Sequence, residues 1–302
     1  MKAFNLNQWS QTHLAAIELA LEDAVPAYAP AGLGDAMRYA VLDGGKRLRP
    51  LLVLASMEAS AAGQQVAWME DAAMRSACAV ELIHAYSLVH DDMPCMDNDV
   101  LRRGKPTVHV KFGQAQALLA GDALQSLAFE CLTPDDSDIP DAVQAKLCAL
   151  LARGAGHAGM AGGQAIDLAS VGVALDADAL RHMHRCKTGA LLEASVLMGA
   201  VCGDASSRAY QALQSFAQAL GLAFQVVDDI LDVTADSAVL GKTSGKDAAD
   251  NKPTYVSLLG LSGARQEAKA LAEQAQAALI KSALPNTQAL RALTDWVLHR
   301  QH

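Results

Sequence analysis

The sequence predicts one all-α domain in which a bundle of about ten or more helices encloses the ligand site. Apolar residues recur at the i, i+3, i+4 spacing of a helix along most of the 302 residues, and convincing strand alternation is absent. Hydrophobic residues make up 52% of the chain and aromatic residues only 4%, which together with abundant alanine favours closely packed helices over sheets.

Helical periodicity covers the segments 6–24, 51–62, 69–90, 115–132, 142–155, 177–201, 207–233 and 264–283. Glycine and proline mark the breaks between them, for example at Pro26, at Gly44-Gly45 and at Pro285. Neither a low-complexity linker nor a repeat of fixed period divides the chain. We therefore expect a single domain that spans residues 1–302.

Composition also limits the partners and the compartment. The formal net charge of −9 argues against general nucleic-acid binding, because neutralising phosphates requires a basic surface. No apolar stretch approaches the roughly 20 residues that span a bilayer, and residues 1–10 lack a signal-peptide layout. The six cysteines form no C-x-x-C pair and lie mostly in apolar stretches, which predicts buried thiols in a reducing cytosol. We expect a cytoplasmic protein without a membrane anchor.

Two aspartate clusters are the most informative feature of the chain. They consist of Asp91, Asp92 and Asp97, and of Asp228, Asp229 and Asp232. A single cluster of this kind is often a solvated helix end or an N-cap. Two clusters of one design, each at the end of an apolar run, instead predict a shared cavity. Divalent cations would remove the repulsion between them there, and Mg²⁺ held by a few carboxylates keeps positions open for substrate phosphates.

The spacing within the second cluster is helical. Asp228 and Asp232 are four residues apart and share one helix face, and Gln225 lines the same wall. The first cluster differs, because Asp91 and Asp97 would point to different sides of an unbroken helix. Pro94 disfavours helical geometry for the residue before it, so we predict that the helix ends near Met93 and that a short loop returns Asp97 toward Asp91.

Three residues that precede the first cluster are placed by the same periodicity. His84 lies seven residues before Asp91 and shares its face at roughly 10 Å along the axis. Ser87 lies between them on this face, and Tyr86 occupies an adjacent one. His84 taken alone is as well explained by a hydrogen-bonded core histidine, and its alignment with the acidic cluster favours a role in the site.

Basic residues stand next to glycine-rich turns and to the acidic clusters. They occur in Gly44-Gly45-Lys46-Arg47-Leu48-Arg49-Pro50, in Leu101-Arg102-Arg103-Gly104-Lys105, in Lys187-Thr188-Gly189 and in the segment 241–255. Guanidinium groups suit phosphate oxygens, and the start of a helix favours anions. Each segment alone is also explained by ordinary surface cations. Together they indicate a site for a metal-complexed polyphosphate, with 241–255 as a lid.

The combined motifs resemble the trans-isoprenyl diphosphate synthase family, and in particular its bacterial farnesyl diphosphate synthase (geranyltranstransferase) branch. The resemblance runs from about residue 33 to 255. It is carried by the segments 44–50, 84–94, 97–107, 162–168, 187–191, 224–232 and 241–247, whose joint order and spacing are specific. It implies an isoprenoid-synthase-type bundle around a deep cavity, a homodimer, and condensation of an allylic diphosphate with isopentenyl diphosphate.

The resemblance also implies a role for each site residue. The two aspartate clusters would hold three Mg²⁺ on the allylic diphosphate. That substrate would be bound by Arg102, Lys187, Thr188, Gln225, Lys242 and Lys252. The isopentenyl diphosphate pocket would comprise Lys46, Arg49, His84 and Arg103. Catalysis is expected of Asp91, Asp97, Arg102, Lys187, Thr188, Gln225 and Asp228, with Thr188 and Gln225 near the reacting carbons.

Product length is expected to depend on Tyr86 and Ser87. An aromatic residue five positions before the first aspartate pair, with two extra residues inside that motif, is similar to the bacterial fifteen-carbon type. This favours farnesyl diphosphate, with geranylgeranyl or geranyl diphosphate as alternatives. Two other classes of protein are alternatives. A class I terpene cyclase lacks the isopentenyl pocket, whereas Lys46, Arg49, His84 and Arg103 are all present here. A regulatory subunit tends to lose aspartates from one motif, whereas both clusters are complete here. The C-terminus departs from the more basic ends common in the family, with Arg300 as its one firm cation.

Overall fold

The computed structural model describes residues 4–42, 44–61, 63, 66–173, 175–234 and 254–300. Its helices are α1 Leu6–Ala24, α2 Leu33–Val41, α3 Leu48–Ser60, α4 Ala67–Asp91, α5 Val108–Phe112, α6 Gln114–Leu132, α7 Asp141–Ala155, α8 Met160–Ala169, α9 Ala177–His184, α10 Ala190–Cys202, α11 Ser207–Thr234, α12 Tyr255–Ser282 and α13 Gln288–His299. A short 3₁₀ turn, Pro30–Gly32, precedes α2. The prediction of an all-α fold is confirmed. The proposed lid residues Lys242 and Lys252 lie outside the described residues.

Helix pairs pack closely, as the alanine-rich composition predicts. The main pairings are α11 with α12, α4 with α6, and α3 with α10. At the last of these, a Cβ added to Gly199 of α10 would overlap the carbonyl oxygen of Val53 and lie 2.8 Å from Ser56 Cβ. Large side chains such as Ile83 and Phe216 are fully buried in the core between the helices. The small residues therefore let the backbones approach, and the large ones fill the core.

Two local features differ from the periodicity. The predicted helix 177–201 is interrupted by a π-helical turn, Arg185–Gly189, which separates α9 from α10. One short hairpin is present that the periodicity does not show, in which β1 Leu101–Arg102 pairs antiparallel with β2 Lys105–Pro106. The connecting residues Arg103 and Gly104 have φ angles of 53° and 76°, as a tight hairpin turn requires. Two-residue strands are too short to show an alternation in the sequence.

The cysteines and the apolar helices bear on the expected compartment. All six cysteines are free, but only Cys78 and Cys202 are buried, while Cys95 is exposed. The expectation that most of the thiols are buried is therefore not met, because only a minority of them is buried. Among the helices that the structure describes, none combines the length and the apolar character that crossing a bilayer requires.

Candidate active site

One large cavity, with a volume of about 950 Å³, is lined by one residue of each aspartate cluster and by most of the predicted basic residues. Asp91 lines it at the end of α4, and Asp228 lines it from α11. Its other predicted lining residues are Lys46, Arg49, His84, Tyr86, Ser87, Arg102, Arg103, Lys187 and Thr188. Asp91 and Asp228 are more than a hundred positions apart in the sequence and line the same cavity. A shared cavity is what the sequence predicted for the two clusters.

The first cluster has the predicted loop geometry. Helix α4 ends at Asp91, and the amide of Asp97 donates a hydrogen bond to the carbonyl oxygen of Asp91 at 2.8 Å. The next amide, of Asn98, bonds to the carbonyl of Met93 at 3.1 Å. These bonds close the loop around Pro94 and bring the backbone of Asp97 next to that of Asp91. The predicted return of the chain is confirmed.

Asp92 and Arg102 form an ion pair beside the cavity. The Nη2 atom of Arg102 lies 2.6 Å from Asp92 Oδ1, and its Nε lies 2.9 Å from both carboxylate oxygens. The Asp92 side chain is only 4% exposed. Burial raises the pKa of Asp92, and the hydrogen bond from Arg102 opposes that shift. The hairpin β1–β2 therefore supplies the cation that holds a buried carboxylate of the first cluster.

The negative charge of the Asp91 carboxylate is destabilised by its surroundings. Burial raises its pKa to about 6, Lys187 opposes the rise, and the carboxylate of Asp97 adds to it. Lys187 itself lies in the π-helical turn and its Nζ is 2.6 Å from Asp167 Oδ2. Asp91 lines the cavity and is repelled by Asp97, and a pair of carboxylates of this kind is a favourable place for a divalent cation.

In the second cluster, Asp229 is held by a chain of hydrogen bonds. Thr188 Oγ1 donates to Gln225 Oε1 at 3.0 Å, and Gln225 Nε2 donates to Asp229 Oδ1 at 2.9 Å. The backbone amide of Tyr255, the first residue of α12, donates to Asp229 Oδ2 at 2.7 Å. Gln225 was predicted to share a wall with Asp228 and Asp229, and its bond to Asp229 agrees with that prediction. The contact with Tyr255 was not foreseen.

Arg300 neutralises Asp228 in this structure. Its Nη2 lies 2.6 Å from Asp228 Oδ1 and 2.9 Å from the carbonyl oxygen of Phe224, and its guanidinium carbon lies 3.7 Å from the centroid of the Phe224 ring. The Arg300 side chain is 4% exposed, whereas that of Asp228 is 46% exposed. Sequence reasoning left Arg300 without a role, because the contact joins residues 72 positions apart and no local pattern announces it.

The predicted isopentenyl pocket forms a second, cationic wall of the cavity. The Nε atom of Arg49 is buried and has no hydrogen-bond partner among the described residues, while the residue as a whole is partly buried. Burial lowers the pKa of His84 well below its usual value, and Arg49 and Arg103 add to the effect, so the imidazole is neutral. Burial likewise lowers the pKa of Lys46 and of Arg103. Cations that are partly desolvated in this way, next to a neutral imidazole and an open space, are matched by an anion.

Arg47 belongs to the same segment but has a structural part. Its guanidinium is 2% exposed, pairs with Glu18 at 2.8 Å and with Glu81 at 2.7 Å, and donates to the carbonyl oxygen of Val41 at 2.7 Å. Every donor nitrogen is thus engaged. With a φ of 46°, the backbone of Arg47 is in the left-handed region, so its side chain points in a different direction from those of the neighbouring residues. Arg47 fixes the turn from which Lys46 and Arg49 extend, a function that the sequence did not reveal.

The aspartate carboxylates suit a metal ion that binds together with a diphosphate. No group of three or more His, Cys, Asp or Glu side chains in the described part of the chain is close enough to hold a metal ion unaided. Asp232 Oδ1 is nevertheless buried and accepts no hydrogen bond from any described residue. Mg²⁺ prefers oxygen ligands and is commonly held by one or two carboxylates together with substrate phosphates. The donor set therefore fits Mg²⁺ bound jointly by protein and diphosphate.

Comparison with known proteins agrees with this geometry. Residues 30–286 match the family model described as polyprenyl synthetase. The chain is 48% identical over 272 residues to the farnesyl diphosphate synthase of Escherichia coli (strain K12), with 88% of each chain covered. It is 44% identical over 305 residues to the heterodimeric geranylgeranyl pyrophosphate synthase large subunit 1, chloroplastic, of Arabidopsis thaliana, which covers 99% of this chain and 81% of that protein.

A solved structure extends the likeness to the whole fold. The geranyltransferase of Helicobacter pylori complexed with magnesium and isoprenyl diphosphate has a TM-score of 0.87 and 34% identity, covering 99% of this chain and 100% of that chain. The chain therefore belongs to the polyprenyl synthetase family, as its motifs indicated. It is a trans-prenyl diphosphate synthase with the isoprenoid-synthase helical fold, and the family uses Mg²⁺. Relatives that make farnesyl and geranylgeranyl diphosphate are similarly close, so the comparison leaves the product open.

Proposed function

We propose that this protein is a farnesyl diphosphate synthase, which condenses isopentenyl diphosphate with dimethylallyl or geranyl diphosphate. We also propose that it works as a homodimer of single-domain chains spanning residues 1–302. The observation that carries the proposal is the single cavity of about 950 Å³, in which a wall with the acidic residues Asp91 and Asp228 meets a cationic wall. Two diphosphates, one with its metal ions and one without, match these two walls.

The aspartates hold the allylic diphosphate through Mg²⁺ in this proposal. The ligands are Asp91, Asp92, Asp97, Asp228, Asp229 and Asp232, for three ions. Bound Mg²⁺ would neutralise the charge that the departing diphosphate gains. The chain's own part begins with the cations Arg102 and Lys187, which are held beside the cavity by Asp92 and Asp167 and can turn to phosphate oxygens. Lys242 and Lys252 complete this set.

The allylic carbon–oxygen bond breaks, and its electron pair leaves with the diphosphate. The Thr188 hydroxyl and the Gln225 carboxamide, which are hydrogen-bonded to each other, offer oxygen dipoles that stabilise the allylic cation without capturing it. Apolar side chains that also line the cavity, among them Leu88, Met160 and Phe224, keep water away from this cation. The double bond of isopentenyl diphosphate attacks the cation to form the new carbon–carbon bond. A proton then leaves the adjacent carbon, and the departed diphosphate is the base that takes it.

Lys46, Arg49, His84 and Arg103 bind isopentenyl diphosphate in this proposal. The support is electrostatic: desolvation disfavours the charged form of Arg49 and, to a smaller extent, those of the more exposed Lys46 and Arg103, so an anion that enters the pocket relieves a cost already present in the folded protein. His84 is neutral and offers a hydrogen bond without adding charge.

An incubation of the purified chain tests the activity. Radiolabelled isopentenyl diphosphate, Mg²⁺ and each allylic starter are combined, and the hydrolysed products are separated by chromatography. We expect a fifteen-carbon product from either starter and none when Mg²⁺ is chelated. Omitting isopentenyl diphosphate is the control for a terpene cyclase, which would still consume the allylic substrate. A twenty-carbon main product would replace the proposal with geranylgeranyl diphosphate synthesis, and an inactive chain would favour a regulatory subunit.

Tyr86 and Ser87 set the product length in this proposal, because both line the cavity one turn before Asp91. We predict that Tyr86→Ala lengthens the product, since removing the ring deepens the cavity. Chromatography should then show twenty-carbon and longer chains as the main products. Tyr210→Ala is the matched control, because Tyr210 is a partly buried tyrosine that does not line the cavity. An unchanged fifteen-carbon product from Tyr86→Ala would contradict the assignment.

A further inference from the structure

His90, the residue immediately before Asp91, lies against Tyr86. The two side chains are one helical turn apart on α4, with ring centroids 5.7 Å apart and an interplanar angle of 75°. Both line the cavity. No hydrogen bond from a described residue fixes the Tyr86 hydroxyl, so the direction of its ring depends on packing. An edge-to-face contact of this kind is strong enough to shift a side-chain population by about two- to tenfold.

The other edge of the imidazole is fixed to α6. His90 Nε2 lies 3.1 Å from the carbonyl oxygen of Leu118, and because a carbonyl only accepts, the nitrogen is the donor. The carboxylate of Asp122 lies 4.0 Å from the same nitrogen. His90 therefore bridges the backbone of α6 and the ring of Tyr86.

Gly121 makes this arrangement possible. A Cβ added to Gly121 would overlap the imidazole of His90: it would touch three ring atoms, of which the farthest, Cε1, would be only 2.8 Å away. The ring thus lies directly on the α6 backbone in a space that any larger residue would occupy. Residue 121 decides how far His90 stands from α6, and hence where its other edge meets Tyr86.

We propose that His90 is a positioning residue for product length, which holds Tyr86 in the cavity, and that Gly121 sets the position of His90. The inference rests on the proposed function in that it requires chain elongation in this cavity. Without the imidazole, Tyr86 turns into the vacated space beside α6 and the cavity deepens. With the imidazole displaced from α6, Tyr86 is pressed inward and the cavity becomes shallower.

The first test compares His90→Ala with His90→Phe. The measured quantity is the ratio of the next longer product to the main wild-type product at equal substrate conversion, which does not depend on the fraction of folded enzyme. We expect His90→Ala to raise this ratio about tenfold, as a change of ~1.4 kcal/mol between competing barriers would. We expect His90→Phe to keep the wild-type ratio, since a phenyl ring retains the contact with Tyr86 while losing the hydrogen bond to Leu118.

A double substitution separates positioning from a direct contact with the growing chain. In a Tyr86→Ala background the residue that His90 holds is gone, so we expect His90→Ala to add no further lengthening. An unchanged ratio in His90→Ala, or the full increase repeated in the Tyr86→Ala background, would overturn the inference. Each ratio is taken relative to the main product of the wild type, whatever its length. A wild type that makes a twenty-carbon product would therefore contradict the proposed farnesyl product, and the role of His90 would still be tested by the ratios.

The second test uses Gly121→Ala, for which we expect the opposite direction. The added methyl displaces His90 toward Tyr86, and the fraction of products shorter than the wild-type main product rises. Gly199→Ala is the control, because its Cβ also overlaps backbone but lies between α3 and α10, away from the cavity-lining residues. It should lower stability and leave the product ratio unchanged. Longer or unchanged products from Gly121→Ala would contradict the assigned role of Gly121.

Discussion

The two aspartate clusters have the same composition but are built differently. The first is local: a loop closed by the bond from Asp97 to Asp91 presents its carboxylates, and its cation, Arg102, follows ten residues after Asp92. The second lies on an unbroken helix and takes its partners from distant segments, namely Tyr255 at the start of α12 and Arg300 after α13. The first cluster is therefore fixed by its own sequence, whereas the second depends on how the C-terminal third of the chain docks.

The electrostatic state of the clusters differs in the same way. Asp91 is repelled by Asp97, and burial raises its pKa to about 6. Asp228, in contrast, is paired with Arg300 at 2.6 Å. Without metal ions, the charge of Asp91 destabilises the folded protein, whereas the charge of Asp228 is already paired with a cation. The same chemical change in each cluster should therefore have opposite effects on stability.

The largest expected effect comes from Asp91→Asn and Asp228→Asn. Each should lower kcat by a factor on the order of 10³, because each removes a proposed metal ligand. In metal-free buffer at pH 8, Asp91→Asn should raise the free energy of unfolding by about 1–2 kcal/mol, since it removes a buried charge. Asp228→Asn should lower it by about 2 kcal/mol, because it leaves the buried guanidinium of Arg300 without its anion.

The pH dependence gives the sign of the Asp91 effect. Its pKa is higher in the folded protein than its usual value of 3.8, so the folded state binds the proton more tightly. Below pH 3.8 the carboxyl is protonated in both states and Asp91→Asn has no advantage. The advantage grows as the pH rises from 3.8 through about 6. Urea unfolding at several pH values measures it, with the exposed Asp23→Asn as the control. Shifts of the same sign in both clusters would refute the contrast.

The sequence predicted the parts of the site that depend on local chemistry. Pro94 was enough to place the end of α4 and the return of the chain toward Asp91, because a proline restricts only its neighbours. The spacing of Gln225 and Asp229 placed them on one helical wall, where they are hydrogen-bonded. Helical periodicity likewise gave the fold class, since an apolar face that must be buried repeats along every long helix.

Contacts between distant segments were not predictable from one sequence. The pairing of Arg300 with Asp228 and the amide of Tyr255 on Asp229 depend on the docking of α12 and α13, which no spacing rule encodes. Arg47 was missed for the same reason, because its partners Glu18 and Glu81 lie on α1 and α4. The hairpin at Arg103 was missed because its strands are only two residues long.

Arg300→Met sharpens the comparison with a smaller effect. We expect the free energy of unfolding to fall by about 1 kcal/mol, less than for Asp228→Asn. The difference follows from burial. Asp228, left unpaired by Arg300→Met, is 46% exposed and can be hydrated, whereas Arg300, left without its anion by Asp228→Asn, is 4% exposed and cannot. The double variant Asp228→Asn/Arg300→Met should be more stable than Asp228→Asn alone. Urea unfolding in metal-free buffer provides the measurement, and Arg291→Met, which changes an exposed arginine of α13, is the control. Additive losses would show that the pair is not coupled.

The smallest effect is expected at the start of α12, which reaches only the second cluster. Thr254 and Ser257 form a capping box there, and the next amide, of Tyr255, bonds to Asp229. Thr254→Ala should lower the free energy of unfolding by about 0.5–1 kcal/mol, since the cap is lost. It should also raise the KM for the allylic diphosphate more than that for isopentenyl diphosphate, because Asp229 loses a firmly placed donor. Thr254→Ser keeps the capping hydroxyl and should match the wild type. Equal KM changes for both substrates would show that the cap stabilises the two walls alike.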